Sequence, residues 1–201
     1  NGHLILIPRL PIISGMKRYN KLLSQAFNKL GIMPNDQIIV HAENYLPSYL
    51  MLNFNNQFPG LKLHADLKGA VPQESLWYDN RHFPSRLIRY VVSNIMEKSI
   101  CTKALSVSCV TENFRNYLSS RYQVNKDRFL VIPSCVDTDQ FFINESNRKE
   151  IRCDLGFNDD NIVCVYSGDT LSRWQMVDSI FTVFYKLAKR LPKSRFLILT
   201  Y

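Results

Sequence analysis

The sequence predicts an α/β protein built on parallel sheets and divided into two domains in tandem. Two observations carry that prediction. Short apolar runs of β type alternate with segments whose apolar residues recur every three or four positions, from Leu4 to Thr200. Such alternation is the pattern of right-handed strand–helix–strand crossovers and of a parallel sheet covered on both faces. The second observation is the stretch from Phe129 to Phe141, FLVIPSCVDTDQF. Four apolar β-type residues stop there at Pro133, which cannot donate to a sheet ladder. Turn-forming residues follow, and then a new strand–helix series. The stretch reads as the crossing between a domain over 1–143 and a second that starts at 144.

Within the first domain, Leu4 to Ile7 forms a short strand ended by Pro8. From Gly15 the period changes: Met16, Tyr19, Leu22, Leu23, Ala26, Phe27 and Leu30 share one helix face, and Gly31 supplies the stop. Lys17, Arg18 and Lys21 lie together on another face of that helix. The next strand, Gln37 to Val40, runs into His41, Glu43 and Asn44, and a helix over Tyr45 to Asn56 turns Leu46, Tyr49, Leu50 and Phe54 inward. Leu61 to Leu67 is a third strand. Residues 70–84 (AVPQESLWYDNRHFP) form a long loop of turn formers and aromatics, a length more often functional than idle. Ser85 is placed to cap a strong helix in which Leu87, Val91 and Ile95 run beside Ile88, Val92 and Met96 as one apolar stripe. Ala104 to Val110 is a strand, Thr111 caps a helix through Tyr122 that buries Phe114, Tyr117 and Leu118, and Phe129 to Ile132 returns to the sheet.

Beyond the crossing, Asn147 caps a short helix that ends at Gly156. Ile162 to Tyr166 is a strand leading to Ser167-Gly168, Gln175 to Arg190 is a helix, and Arg195 to Thr200 is a strand. This β-α-β unit of roughly 50 residues is too small to bury a core of its own. The reading therefore expects an incomplete second domain that continues past Tyr201, and a first domain lacking its opening strands, since the chain begins inside a strand without an initiator Met.

Composition narrows the function classes. Apolar residues make up 46% and aromatics 12% of 201 residues, as in globular proteins and unlike disordered ones. No run approaches the roughly 18 apolar residues of a membrane span. Five cysteines without a C-x-x-C pair fit a reducing cytoplasm and structural thiols. The net charge of +8 is concentrated early: residues 1–35 hold Arg9, Lys17, Arg18, Lys21 and Lys29 and no acid. That balance favours an anionic partner. The basic helix face is either the wet side of a core helix or an edge resting on anionic lipid at the inner membrane face. Nucleic acid is not expected as a partner, because basic and aromatic residues form no recognisable RNA or zinc module. His3, His41, His64 and His82 lack metal-ligand spacing, so no metal site is expected.

Ligands of open parallel sheets gather outside the carboxyl ends of strands, and three such ends carry useful residues. His41, Glu43 and Asn44 follow one strand, as substrate contacts or simply as caps of the next helix. Asp66, Lys68 and Gly69 follow another; the lysine holds a phosphate or sugar oxygen, or is merely exposed. Gly168 to Gln175 (GDTLSRWQ) follows the first strand of the second domain. There Gly168 admits close approach of a ligand, Arg173 offers a forked donor set for a diphosphate, and the next helix adds its N-terminal N–H groups. The alternative is a strand-to-helix turn with a surface arginine.

Several of these stretches resemble, in the right order, segments of GT-B fold glycosyltransferases in the large retaining family numbered four. The segment VIPSCVDTDQF is similar to the family's V-I-P-N-G-V-D-x-x-x-F, with Ser134-Cys135 in place of Asn-Gly. DLKG at Asp66 to Gly69, with Pro72 and Glu74, resembles its D-L-R-G-x-x-P-E-E loop. The GDTLSRWQ segment resembles the donor diphosphate segment, although many members have Arg where Asp169 stands. The family's two glutamates seven residues apart and its glycine-rich opening loop have no counterpart here. The resemblance implies two Rossmann-like domains, an acceptor-side one over 1–143 and the start of a donor-binding one over 144–201. It implies a nucleotide-sugar donor and a glycan or lipid-linked acceptor, as in cell-surface polysaccharide synthesis. Transfer would proceed with retention, with no cofactor and no metal. Lys68 and Gly69 then serve the sugar end, and Gly168, Arg173 and Gln175 the diphosphate. Two alternatives stay open: a nucleotide-sugar epimerase on the same scaffold, and a non-catalytic fragment that only binds a nucleotide.

Overall fold

A computed structural model describes residues 12–78, 81–171 and 175–200. The expected strand Leu4–Ile7, and Arg9, lie outside the described residues. The chain divides into two compact units: one runs through Leu76 and from His82 to Ser134, and the other joins Trp77–Arg81 with the chain from Cys135 onward.

In the first unit the elements are α1 (Ile12–Lys29), β1 (Ile38–Glu43), α2 (Tyr45–Phe54), β2 (Leu61–Leu67), α3 (Val71–Trp77), α4 (Phe83–Lys103), β3 (Ser106–Cys109), α5 (Glu112–Tyr122) and β4 (Phe129–Val131). The four strands form one parallel sheet in the order β1-β2-β3-β4. β2 reads alternately in burial, with Leu61, Leu63, Ala65 and Leu67 buried. These meet Phe54, Ile100, Val107, Leu118 and Phe129 in one core. Fully burying each such Leu or Phe contributes roughly 1.5–3 kcal/mol. Phe27 of α1 packs edge-on against Phe54 and Phe58, with centroids 5.2 and 5.0 Å apart.

Among the described residues the helices cover one face of this sheet, where the sequence reading expects cover on both. Each successive strand is added on the same side of the last, so right-handed crossovers place α2, α4 and α5 all on one face. The other face carries Ile39, His41 and Glu43 of β1, Lys62, His64 and Asp66 of β2, Ser106 and Ser108 of β3 and Leu130 of β4, since side chains alternate along each strand. Ile39 is 75% and Leu130 49% exposed. One face is apolar core, and the opposite one is mostly polar, with Ile39 and Leu130 as its apolar members.

Local differences from the sequence reading have local causes. Residues 71–77, read as loop, form α3: Pro72 sits in its first turn, where a missing N–H costs nothing. α4 starts at Phe83 for the same reason, with Pro84 in its first turn and His82 at the N-cap. Ser85 is therefore inside the helix, and its hydroxyl donates to the His82 carbonyl at 2.8 Å. The apolar stripe of α4 is split: Met96 is buried and Val92 packs against the core. Leu87, Ile88, Val91 and Ile95 are exposed, while Ser93, Met96, Glu97, Ile100 and Cys101 are buried. Elsewhere the reading and the structure agree. Thr111 Oγ1 accepts from Phe114 N at 3.1 Å at the start of α5. Gly31, with φ +72°, closes α1 in a Schellman turn: Ile32 N donates to Phe27 O and Gly31 N to Asn28 O. Cys101 and Cys109 are buried, and burial pushes both thiols up, so they stay un-ionised packing groups.

In the second unit, α6 (Glu145–Asp154) precedes β5 (Ile162–Ser167), α7 (Val177–Arg190) and β6 (Ser194–Leu199). β5 and β6 pair in parallel, Ile162 opposite Ser194 through Ser167 opposite Leu199. Phe184 of α7 stacks on Phe196 of β6 with centroids 4.1 Å apart. The cap of α6 is Asn144, whose side chain accepts from Asn147 N at 3.0 Å. The sequence reading placed the cap three residues late. Gly156, at φ +69°, follows the helix as expected.

Candidate functional site

At the carboxyl ends of β1 and β2 the first unit gathers Glu43, Asp66, Lys68 and Gly69. β1 extends three residues beyond Val40, because pairing with β2 continues through His41–His64, Ala42–Ala65 and Glu43–Asp66. His41 and Glu43 are thus strand residues on the polar face, a correction to their placement on the following loop. Asn44 occupies the N-cap of α2 at φ 70°, without a side-chain cap bond. The Lys68 ammonium meets Glu43 Oε1 at 2.5 Å, with both side chains about half exposed. The hydrogen bond to Glu43 holds the lysine above its ordinary value, and the charges of Glu43 and Asp66 add to this. Lys68 is therefore cationic, and its charge is shared with a carboxylate. Glu74 folds over Gly69: a Cβ on that glycine would lie 2.6 Å from Glu74 Oε1. A side chain at residue 69 would displace the Glu74 carboxylate, the flexible end of its side chain, without meeting backbone.

A chain of polar groups runs across the same sheet face. Ser108 Oγ donates to Asp66 Oδ1 at 2.6 Å. His64 lies with Nε2 3.2 Å from Ser108 Oγ and Nδ1 2.7 Å from Ser106 Oγ. Because Ser108 spends its proton on Asp66, His64 Nε2 must donate to Ser108. Burial and the neighbouring His41 ring, 5.2 Å away, lower the His64 pKa. A neutral His64 then accepts at Nδ1 from Ser106. Among the described residues, no three His, Cys, Asp or Glu side chains are grouped to hold a metal ion.

The second candidate lies in the second unit. Gly168 follows β5 and its N–H donates to Leu199 O at 3.0 Å. A Cβ there would lie 3.0 Å from Tyr166 Oη and 3.6 Å from Gln175 Nε2, so the fold brings Gly168 and Gln175 side by side. Tyr166 Oη donates to the Asp169 carbonyl at 2.8 Å, and Leu171 N donates to Asp169 Oδ1 at 2.7 Å. This turn is held by its own hydrogen bonds. α7 begins after Met176, whose own side chain makes no cap bond to the first N–H groups; a helix N-terminus of this kind offers donors to an anion or to water. Arg173 lies outside the described residues.

The sequence reading missed Tyr45 and Glu97. Tyr45 opens α2, yet its hydroxyl lies 2.9 Å from the Gly69 carbonyl and 2.5 Å from Glu97 Oε2. The one available signal was Glu97 at four-residue spacing from Ser93 and Cys101. That row is less apolar than the stripe beside it.

No family model matches the chain, and no curated protein is significantly similar to it. Its fold does match solved structures. A glycosyltransferase from Rickettsia africae superposes with a TM-score of 0.57 at 13% identity, over 98% of this chain and 54% of that one. An α,α-trehalose-phosphate synthase (UDP-forming) from Burkholderia vietnamiensis gives 0.53 at 15% identity, over 96% and 44%. The UDP-GlcNAc 2-epimerase from Neisseria meningitidis, bound to UDP-GlcNAc, gives 0.51 at 12% identity, over 98% and 50%. At such identities the likeness is one of fold. The chain has the α/β, Rossmann-like architecture of GT-B proteins and spans about half the length of the solved structures it matches.

Proposed function

We propose that the chain belongs to a nucleotide-sugar-dependent glycosyltransferase, of the retaining kind its motifs resemble, which passes a sugar to a glycan or lipid-linked acceptor. The observation that carries the reading is the agreement of two independent lines. The motif order resembles GT-B transferases, and the fold is similar to a glycosyltransferase and to a UDP-forming synthase. In this reading Gly168 lets the backbone approach the donor diphosphate, with Gln175 beside it. Arg173, between them in sequence, neutralises the leaving group by charge, the electrostatic work a metal does elsewhere. Lys68 and Gly69 serve the sugar. The enzyme works on the cytoplasmic side, in cell-surface polysaccharide synthesis.

Calorimetry with UDP- and GDP-sugars tests the reading. One donor class is expected to release heat, and Arg173→Ala weakens it about tenfold or more, as for loss of a charge-assisted hydrogen bond. Silence with every donor on the full chain overturns it. The likeness to the epimerase favours a second reading, and incubation with donor alone separates the two. Epimerised sugar without acceptor means epimerase, whereas transfer only with acceptor means transferase. The exposed Lys17, Arg18 and Lys21 of α1 make anionic lipid a peripheral partner in this proposal. Among the described residues no helix is long and apolar enough to cross a membrane. Vesicle binding should weaken with salt and with Lys17→Glu, and equal pelleting on neutral and anionic vesicles would count against lipid contact.

A further inference from the structure

Glu97 is completely buried in α4, the one carboxylic acid among the described buried residues. Its two oxygens have different partners. Tyr122 Oη donates to Oε1 at 2.6 Å and itself accepts from Arg121 Nε at 3.1 Å. On the other side, Tyr45 Oη stands 2.5 Å from Oε2 and 2.9 Å from the carbonyl oxygen of Gly69.

Counting protons decides the state of this chain. A tyrosine hydroxyl has one proton to donate, and a backbone carbonyl has none. With Glu97 ionised, Tyr45 could satisfy the carboxylate or Gly69 O, and the other contact would set two lone pairs against each other. Both contacts become hydrogen bonds only when Oε2 carries a proton. Glu97 then donates to Tyr45, Tyr45 donates to Gly69 O, and Oε1 accepts from Tyr122. Every group is satisfied, as a buried network requires.

The surroundings agree. The groups facing Glu97 are the Cys101 thiol on its own helix, Tyr45 from α2, and Tyr117, Tyr122 and Arg121 from α5. Burial pushes the carboxyl up and outweighs the opposing pull of the two tyrosine hydrogen bonds and of Arg121. We propose that Glu97 is protonated in the folded protein and acts, through Tyr45, as a positioning residue that fixes the Gly69 carbonyl and with it the Lys68–Gly69 turn. The functional meaning rests on the reading of that turn as the sugar end of the site; the proton itself does not.

The sign of the linkage follows. A carboxyl whose folded value lies above the ordinary 4.5 contributes stability that is fully present below that pH. The contribution is lost as the pH rises through the folded value. Glu97→Gln keeps the same hydrogen bonds, with its amide N–H donating to Tyr45 and its oxygen accepting from Tyr122, and it cannot ionise. Difference infrared spectra of wild type minus Glu97→Gln at neutral pH should show the carbonyl stretch of a protonated carboxyl. The glutamine variant should keep the wild-type melting temperature and flatten its fall with rising pH, whereas Glu97→Ala melts lower. Tyr45→Phe should speed hydrogen exchange of the amides from Lys68 to Ala70. The carboxyl carbon-13 resonance of Glu97 reports the same proton in the wild-type chain. An ionised carboxyl at neutral pH, or a Glu97→Gln variant as unstable as Glu97→Ala, overturns the proposal. None of these readouts uses a nucleotide sugar, so loss of donor binding with an intact carboxyl signal sinks only the reading of the site.

Discussion

Lys68 has a charge available to a ligand only in competition with Glu43. The pair is about half exposed on both sides, and ion pairs so open to solvent contribute little. A bound diphosphate or acidic sugar can displace Glu43 at that cost. Glu43→Gln should accordingly tighten nucleotide-sugar binding by up to roughly fivefold and Lys68→Ala should weaken it, both read by calorimetry. Identical affinities for the wild type and both variants would show that the ammonium holds no anion. His64 yields a separate pH prediction. Its folded value lies below the ordinary 6.5, so its contribution is fully present above that pH and is lost as the pH falls through the folded value. His64→Gln should flatten the decline of melting temperature on acidification. An unchanged acid limb would place the ring in water.

Element boundaries were legible where a side chain with one dominant use stood at the end. Thr111 can bond the N–H three residues on, and Gly31 tolerates a left-handed backbone; both do so here. Ser85 and Asn147 had equally suitable chemistry, but Pro84 and Asn144 had prior claims one to three residues earlier. Denaturant melts should separate the two cases. Thr111→Ala should cost about 1 kcal/mol, while Ser85→Ala should stay within about 0.5 kcal/mol. Similar losses at both sites would return the cap of α4 to Ser85. The α4 stripe failed for a different reason. The stripe and the buried face share Val92 and Met96 and diverge beyond them, because the buried face also takes in Ser93 and Glu97. The buried face is the one that brings Glu97 to Tyr45 and Tyr122, and the polar bonds made there are invisible to a hydrophobicity count.

At the scale of the molecule, the two units differ in how much they bury. The described core clusters in the first unit, whereas in the second α6 and α7 have no fully buried residue. Amides of β5 and β6 should therefore exchange with solvent faster than those of β2 and β3. Equal protection in the two sheets would contradict this difference. The sequence by itself determined the fold class, the order of the described strands and of every helix but α3, and the β2 strand to the residue, because strand and helix periods are local properties of the chain. It also placed Lys68–Gly69 and Gly168–Gln175 after strands, where ligands of such sheets collect. Only the tertiary structure decided which face of the first sheet is core, which side of α4 is core and which groups meet. Those outcomes depend on strand order and on contacts far apart in the chain, such as Lys68 with Glu43 across 25 positions and Tyr45 with Glu97 across 52. No local pattern encodes a partner at that distance; the packing of the whole sheet brings the two groups together.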